Sequence, residues 1–233
     1  MELDLKISIC IPTWEQHGYG VTFLNEMFDT IKRQTYKNFN VVISDHSVGN
    51  DILNLIDEYR NFFDIIYIKN IDKRGNGPAN TNVSIKNATG DIIKVMFQDD
   101  LFVNDESLQI INDTFKNNDC NWLVSGCNHT NDGKTFNREM VPSWNDKILE
   151  GVNTISSPSV LSFKNNDIPL FDEDLVMLMD CEYYYQLYKK YGLPFIVKDV
   201  LISNRMHQYQ VSSMYTRSLQ QEINHVKIKH EVW

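Results

Sequence analysis

Apolar positions in the first hundred residues alternate between two rhythms. Short, largely apolar runs occupy 6–11 (KISICI), 40–45 (NVVISD), 65–69 (IIYIK) and 91–97 (DIIKVMF). Runs of this kind are expected of strands buried on both faces. Between them, Val21, Leu24, Met27, Phe28 and Ile31 recur at helical spacing, predicting a helix over 21–34. Residues 51–62 and 77–88 predict two more helices. The second has Pro78 in its first turn and Gly90 beyond its end. Strand, helix and strand at this spacing predict parallel βαβ units. Pro12, which has no N–H, is expected to end the first strand.

The second half is less regular. A helix is expected over 105–117 and a strand over 121–127. Residues 128–139 read as a polar loop turning at Asp132-Gly133. A short strand follows at 159–163. A helix at 179–192 is stopped by Gly192 and Pro194. Residues 195–207 read as a strand or strand pair, and 216–231 as a final helix. There is no repeat, low-complexity tract or linker, which favours one continuous domain over 1–233.

Open parallel sheets bind ligands outside the carboxyl ends of their strands. That rule places three polar clusters together: PTWE (12–15), SDHS (44–47) and QDD (98–100). The pattern therefore locates a candidate site before any chemistry is assigned.

Composition narrows the function. The chain has 233 residues, 42% hydrophobic and 23% charged, the balance of a soluble globular protein. No run approaches the roughly 20 apolar residues of a membrane span. The opening residues are too few and too acidic for a signal peptide and read as a strand. A net charge of −9 argues against nucleic acid as a partner. It also implies that an anionic phosphate ligand would arrive with a cation. Cys10, Cys120, Cys127 and Cys181 form no C-x-x-C pair. They read as reduced structural thiols of a cytosolic protein.

Candidate chemistry rests on few residues. Asp99 and Asp100 end a buried run. They are either turn formers or oxygen ligands for a hard cation, which takes one or two carboxylates plus substrate phosphates. Adjacent residues of an extended chain point opposite ways, so the two acids are expected to differ in role. Asp45 ends the second strand, where an acid either forms a turn or contacts a nucleotide ribose or base. Asp180 opens a helix whose dipole would keep it ionised, as a general base requires. Glu182 lies on another face of that helix. His207, after the last strand, is a surface or packing residue, a metal ligand, or a diphosphate contact. Tyr183, Tyr184, Tyr185, Tyr188 and Tyr191 are mostly core, with one or two available to an acceptor groove. No phosphate-binding P-loop, dinucleotide fingerprint or nucleophile-elbow motif is present.

Five segments in order resemble family-2 glycosyltransferases of the GT-A fold: ISICIPTWE, NVVISDHSVGND, GPANTNVSIKNATGDIIKVMFQDD, FDEDLVMLMDCEYYYQLYKKYG and RMHQYQVS. The resemblance implies an α/β fold with a mostly parallel central sheet and a smaller mixed acceptor-side region. Residues 1–104 would be the nucleotide-sugar half and 105–233 the acceptor-binding, catalytic half. It implies inverting sugar transfer from a UDP- or GDP-linked donor to a glycan, glycoprotein or lipid-linked hydroxyl, with Mn²⁺ or Mg²⁺.

By the same resemblance, Pro12, Thr13, Glu15, Asp45, Asn82 and Asp99 would contact the donor. Asp100 and His207 would hold the metal, and Asp180 would be the base. The protein would be cytoplasmic, or at a membrane's inner face beside other biosynthetic enzymes. Glu15, Thr81, Gln98 and Met179 depart from the family pattern. They motivate an alternative, a non-catalytic nucleotide- or carbohydrate-binding module on the same fold. A nucleotidyltransferase would want a glycine-rich basic loop after the first strand, and PTWEQHG is not one.

Overall fold

Three parallel strands set the frame of the computed structural model, which describes residues 4–210 and 219–232. β1 (Ile7–Thr13) pairs in parallel with β2 (Phe39–Asp45) on one side and with β4 (Ile92–Val95) on the other. β3 (Ile65–Lys69) adds in parallel to β2. The crossovers are α1 (Gly20–Arg33), α2 (Asp51–Tyr59) and α3 (Gly77–Lys86). β1, β2 and β4 are largely apolar because both faces are covered. Ile7, Ile9, Ile11, Val41, Val42 and Ile43 have no exposed surface. On α1, Leu24, Met27, Phe28 and Ile31 are the buried stripe that their spacing predicts.

The second half extends the same sheet with mixed pairing. β5 (Leu101–Phe102) leads into α4 (Ser107–Asn117). β6 (Trp122–Thr130), β7 (Phe136–Met140), β8 (Leu161–Lys164), α5 (Met179–Tyr191), β9 (Phe195–Arg205) and α6 (Leu219–His230) follow. Among the described residues the order is β3-β2-β1-β4-β8-β6-β9-β5, with β7 on β6 off this path. β8 runs antiparallel to β4 and β6, and β9 parallel to β6. The parallel half and the mixed half are the α/β arrangement expected of a GT-A sheet flanked by helices.

Two expectations need correction, and one strand was not foreseen. Pro12 does not end β1, which runs on to Thr13 opposite Asp45. Pairing with β4 stops at Cys10, and Cys10 O faces that side, accepting from Met96 N. Pro12 faces the same side two residues on, where no strand asks for its missing N–H. Residues 128–139 are not a loop. β6 continues to Thr130 and turns at Asp132-Gly133 into β7. β7 is almost wholly exposed and carries no apolar face to read. β5 is two residues long, too short to show a period, and is defined by its pairing with β9. The start of the expected 216–231 helix lies outside the described residues.

Lys94 sits inside β4 and is fully buried. Its Nζ donates to the carbonyl oxygens of Ser159 and Leu161 at the entry to β8. Burial lowers its pKa to about 7. The unfolded lysine holds its proton to about 10.4, so above neutrality the unfolded state binds more protons and stability rises with pH. The expected gain from Lys94 between pH 7 and 8 is about 1 kcal/mol. Urea unfolding at the two pH values should show this increment in wild type and not in Lys94→Met. Equal pH slopes in the two proteins would rule it out.

Candidate active site

Register delivers the first elements of the site. Thr13 and Asp45 are paired residues at the carboxyl ends of β1 and β2. Asp45 is fully buried and surrounded by donors. Its Oδ1 accepts from Ser47 N at 2.8 Å and Thr13 Oγ1 at 3.3 Å, and its Oδ2 from Tyr67 Oη at 2.8 Å and Lys69 Nζ at 3.1 Å. A ligand reaches this carboxylate only by displacing one of these groups. Asn80 secures the strand ends from α3. Its Nδ2 donates to Thr13 O at 3.1 Å, and its Oδ1 accepts from Ser44 Oγ at 2.6 Å. Next to Asp45, His46 Nε2 and Ser47 Oγ are buried without a hydrogen-bond partner. Burial lowers the His46 pKa and keeps the ring neutral.

The segment after β1 is shaped by polar side chains. Glu15 Oε1 accepts from Val48 N and, at 3.4 Å, from Gly49 N, so it holds the loop after β2. Gln16, His17 and Gly18 take positive φ values of 45, 54 and 90°, a costly run for the two non-glycine residues. At Gly20 a Cβ would lie 2.2 Å from Trp14 O, so only glycine permits this return. Gln98 clamps the turn from β4. Its Oε1 accepts from Trp14 N at 2.8 Å, and its Nε2 donates to Trp14 O at 3.0 Å and Gln16 Oε1 at 2.6 Å. An acid at this position could not make the two donations.

Asp99 and Asp100 diverge at a turn in which Asp100 N donates to Phe97 O at 3.0 Å. Asp99 Oδ2 lies 2.9 Å from His207 Nε2 and accepts from Gln16 Nε2 at 3.4 Å. Asp100 turns inward and is only 4% exposed. Its Oδ1 accepts from Arg205 N at 2.9 Å, and its Oδ2 lies 3.3 Å from Ser157 Oγ. Burial, then the charge of Asp99, raises the Asp100 pKa to about 7. Arg205 braces the pair, donating from Nε to Asp99 O at 2.9 Å and pairing with Glu26. The carboxylate beside His207 is Asp99, because the oxygens of Asp100 are taken up by β9 and the 157–159 segment.

Asp180 lies in the first turn of α5, half-buried. Its Oδ1 accepts from Cys181 N at 2.7 Å and its Oδ2 from Asn153 Nδ2 at 2.7 Å. Burial raises its pKa to about 6. The approach to α5 is fixed from α6. Glu222, 2% exposed, accepts from Val176 N at 3.2 Å and from Met177 N and Leu178 N at 2.9 Å. Glu182 of α5, fully buried, pairs at 2.8 Å with Lys229 and His230 of α6. It is a structural anchor.

With this geometry in place, sequence comparison identifies the family. The family described as Glycosyl transferase family 2 matches residues 8–177. The chain belongs to glycosyl transferase family 2. An uncharacterized glycosyltransferase of Rickettsia felis is 33% identical over 104 residues, covering 44% of this chain and 16% of that protein. The poly(ribitol-phosphate) beta-N-acetylglucosaminyltransferase TarS of Staphylococcus aureus is 25% identical over 108 residues, 45% of this chain and 18% of TarS. The matched stretch spans under a fifth of the length of either relative. The crystal structure of S. aureus TarS 1-349 with UDP-GlcNAc superposes with a TM-score of 0.75 at 18% identity, covering 96% of this chain and 66% of that one. The Pyrobaculum calidifontis mannosyltransferase PcManGT with GDP-Man and Mn²⁺ gives 0.62 at 16% identity, covering 87% and 57%. These likenesses establish the GT-A fold.

In this glycosyl transferase family 2 chain the structure gathers Thr13, Glu15, Asp45, Asp99, Asp100 and His207 along one end of the β1, β2 and β4 strands. It does not bring Asn82 there. The Asn82 amide is spent on Phe171 N and O and on Glu173 Oε1, tying α3 to the segment before α5. Pro12 is a strand residue opposite Ser44. The Ser of the RMHQYQVS ending, Ser212, lies outside the described residues. Sequence reasoning passed over Gln16, Tyr67, Lys69, Asn80 and Asn153. Asn80 and Gln16 stand within segments already singled out, whereas Tyr67 and Lys69 carry no local signal. For the α5 anchor, Glu222→Ala should lower stability in urea by at least about 2 kcal/mol, since it strands buried N–H groups. Glu222→Gln keeps an acceptor and should lose less. Equal losses would show that the carboxylate does not cap α5.

Proposed function

We propose that this protein transfers a sugar from a UDP- or GDP-linked donor to a hydroxyl of a glycan, glycoprotein or lipid-linked acceptor, with inversion. The observation that carries the reading is the approach of His207 Nε2 to Asp99 Oδ2, 2.9 Å across 108 positions of sequence. A carboxylate and an imidazole, each partly open to solvent, form a donor set suited to Mn²⁺ or Mg²⁺ completed by substrate phosphates. A bound ion there would supply Lewis-acid neutralisation of the leaving diphosphate. PcManGT, which shares the fold, binds GDP-Man with Mn²⁺, and TarS binds UDP-GlcNAc. His46 Nε2 and Ser47 Oγ, left without partners beside Asp45, are suited to donor hydroxyl or base contacts. On this reading residues 1–104 form the donor side and 105–233 the acceptor side of one domain.

Asp180 is the proposed base. Its carboxylate takes the proton of the acceptor hydroxyl as that oxygen attacks the anomeric carbon. The bond to the diphosphate oxygen breaks and the nucleoside diphosphate leaves. A pKa of about 6 makes Asp180 more basic than an ordinary aspartate yet ionised at neutral pH, the compromise that favours base catalysis. Among the described residues no helix is long and apolar enough to cross a membrane. A cytoplasmic place, at a membrane face or with other biosynthetic enzymes, remains part of the proposal. The alternative, a non-catalytic binding module, draws on the enclosure of Asp45. Metal-dependent release of nucleotide from a sugar nucleotide discriminates between the two.

Asp180→Asn should lower turnover about 10²- to 10⁴-fold with Mn²⁺-dependent UDP or GDP affinity retained. Near-wild-type turnover would refute the base. Below pH about 6 the base is protonated, so turnover should fall on the acid side of that value. Asp99→Ala should abolish Mn²⁺-dependent affinity for UDP and GDP in calorimetry. Unchanged affinity would remove Asp99 from the metal.

A further inference from the structure

Between α5 and the Asp99–Asp100 strand end lies a half-buried polar turn, residues 153–156, outside the groups that the proposed reaction uses. Asn153 Oδ1 accepts from Ile155 N at 2.9 Å and Ser156 N at 3.0 Å, folding residues 153–156 into a closed turn. Its Nδ2 donates to Ser156 O at 3.0 Å and to Asp180 Oδ2 at 2.7 Å. Ser156 is held at φ 104°, a conformation rarely adopted by a residue with a side chain. Such geometry persists only where the surroundings over-determine it. Here they do. Ser156 O accepts from both Asn153 Nδ2 and Tyr184 Oη, and Ser156 Oγ accepts from Asn204 Nδ2 at 2.7 Å. Ser157 Oγ lies 2.8 Å from Asn204 Oδ1 and 3.3 Å from Asp100 Oδ2. A chain of polar contacts therefore runs from Asp180 through Asn153, Ser156 and Asn204 to Ser157, whose single hydroxyl proton serves either Asn204 Oδ1 or Asp100 Oδ2.

Resting on the proposed role of Asp180, we infer that Asn153 is a positioning residue, which fixes the rotamer of the Asp180 carboxylate and holds it in register with the Asp100 strand end. The chemistry of the contacts supports this. Asn153 offers an N–H donor to Oδ2, and the start of α5 offers Cys181 N to Oδ1. The Cys181 thiol and the Asp180 N–H also hydrogen-bond this carboxylate, and Asn153 donates to it from outside α5. The titratable groups facing Asp180 are Cys181 and Tyr184 on its own helix, with Cys127 of β6 beyond them. Burial raises the pKa of all three, so no neighbouring charge competes with Asn153. Ser156 tolerates its backbone because the turn serves both carboxylates.

The test follows Asp180 by NMR in the whole chain, carrying ¹³C-labelled aspartate carboxyls and ¹⁵N-labelled asparagine amides. The Asp180 signal is the one lost in Asp180→Asn, and the Asn153 signal the one lost in Asn153→Ala. In wild type the Asn153 amide should shift with the same midpoint as the Asp180 carboxyl. Asn153→Asp keeps the acceptor for Ile155 N and Ser156 N but replaces the donor with a carboxylate. It should raise the Asp180 midpoint by about one pH unit. The acid limb of kcat for UDP release from UDP-GlcNAc with Mn²⁺ should move with it, KM staying within about twofold. An Asn153 amide that does not follow the Asp180 midpoint overturns the inference, even if the Asp180 variant folds poorly. So does an unchanged midpoint in folded Asn153→Asp. The titration needs no turnover. Absence of nucleotide release by wild type from UDP-GlcNAc and GDP-mannose would count against sugar transfer, while the titration still decides the Asn153–Asp180 contact.

Discussion

The parallel pairing of β1 with both β2 and β4 is the constraint on which the rest depends. Parallel strands joined by helices must present their carboxyl ends at the same edge of the sheet. Once Ile7, Ile9 and Ile11 are buried between two covered faces, the register of β1 is set by its hydrophobic fit. Thr13 then lies opposite Asp45, and the chain leaving β4 delivers Gln98, Asp99 and Asp100 to the same edge. β9 completes the arrangement, because Arg205 N bonds Asp100 Oδ1 and brings His207 two residues later against Asp99. The Asp99–His207 contact is thus a by-product of strand pairing, assembled from segments over a hundred residues apart.

Buried polarity does the fine positioning. Asp45, Gln98, Asp100, Asn153 and Glu222 each sit where an unpaired polar group would cost free energy. Each is met by several partners. The effect is to make loop geometry as determinate as core packing. The strained turn at Gln16–Gly18 is held by Gln98, and the strained Ser156 by Asn153 and Tyr184. Both lie beside the residues proposed to act on the donor and acceptor. The burial that rigidifies these groups also shifts their protonation. Asp180 becomes a better base, and Asp100 is held near neutrality, so the strand end carries less charge than two free acids would.

Much of the fold was legible because it rests on periodicity. The four parallel strands, α1 to α5 and the edge that gathers the acids all follow from apolar runs, helical spacing and glycine or proline boundaries. Where the reading failed, the signal was absent or ambiguous. Pro12 is a strand breaker by its lost donor, yet it is harmless where β4 has already ended. β7 has no buried face, and β5 no length. Lys94 lay unnoticed in an apolar run, since one polar letter does not disturb the pattern.

The order of residues along the chain, by itself, determined the fold class, the carboxyl-edge location of the site and the candidacy of Thr13, Asp45, Asp99, Asp100, Asp180 and His207. The fold class and the carboxyl-edge clusters depend on local periodicity and on the topology that it forces, whereas the roles expected of these six residues rest on the resemblance to family-2 glycosyltransferases. Only tertiary structure decided which acid faces His207, that Asn82 is spent on Phe171 and Glu173, that Tyr67 and Lys69 enclose Asp45, and that Asn153 meets Asp180. Those are contacts between side chains distant in sequence. Their partners are selected by burial and hydrogen-bond satisfaction in three dimensions, and no spacing along the chain encodes them.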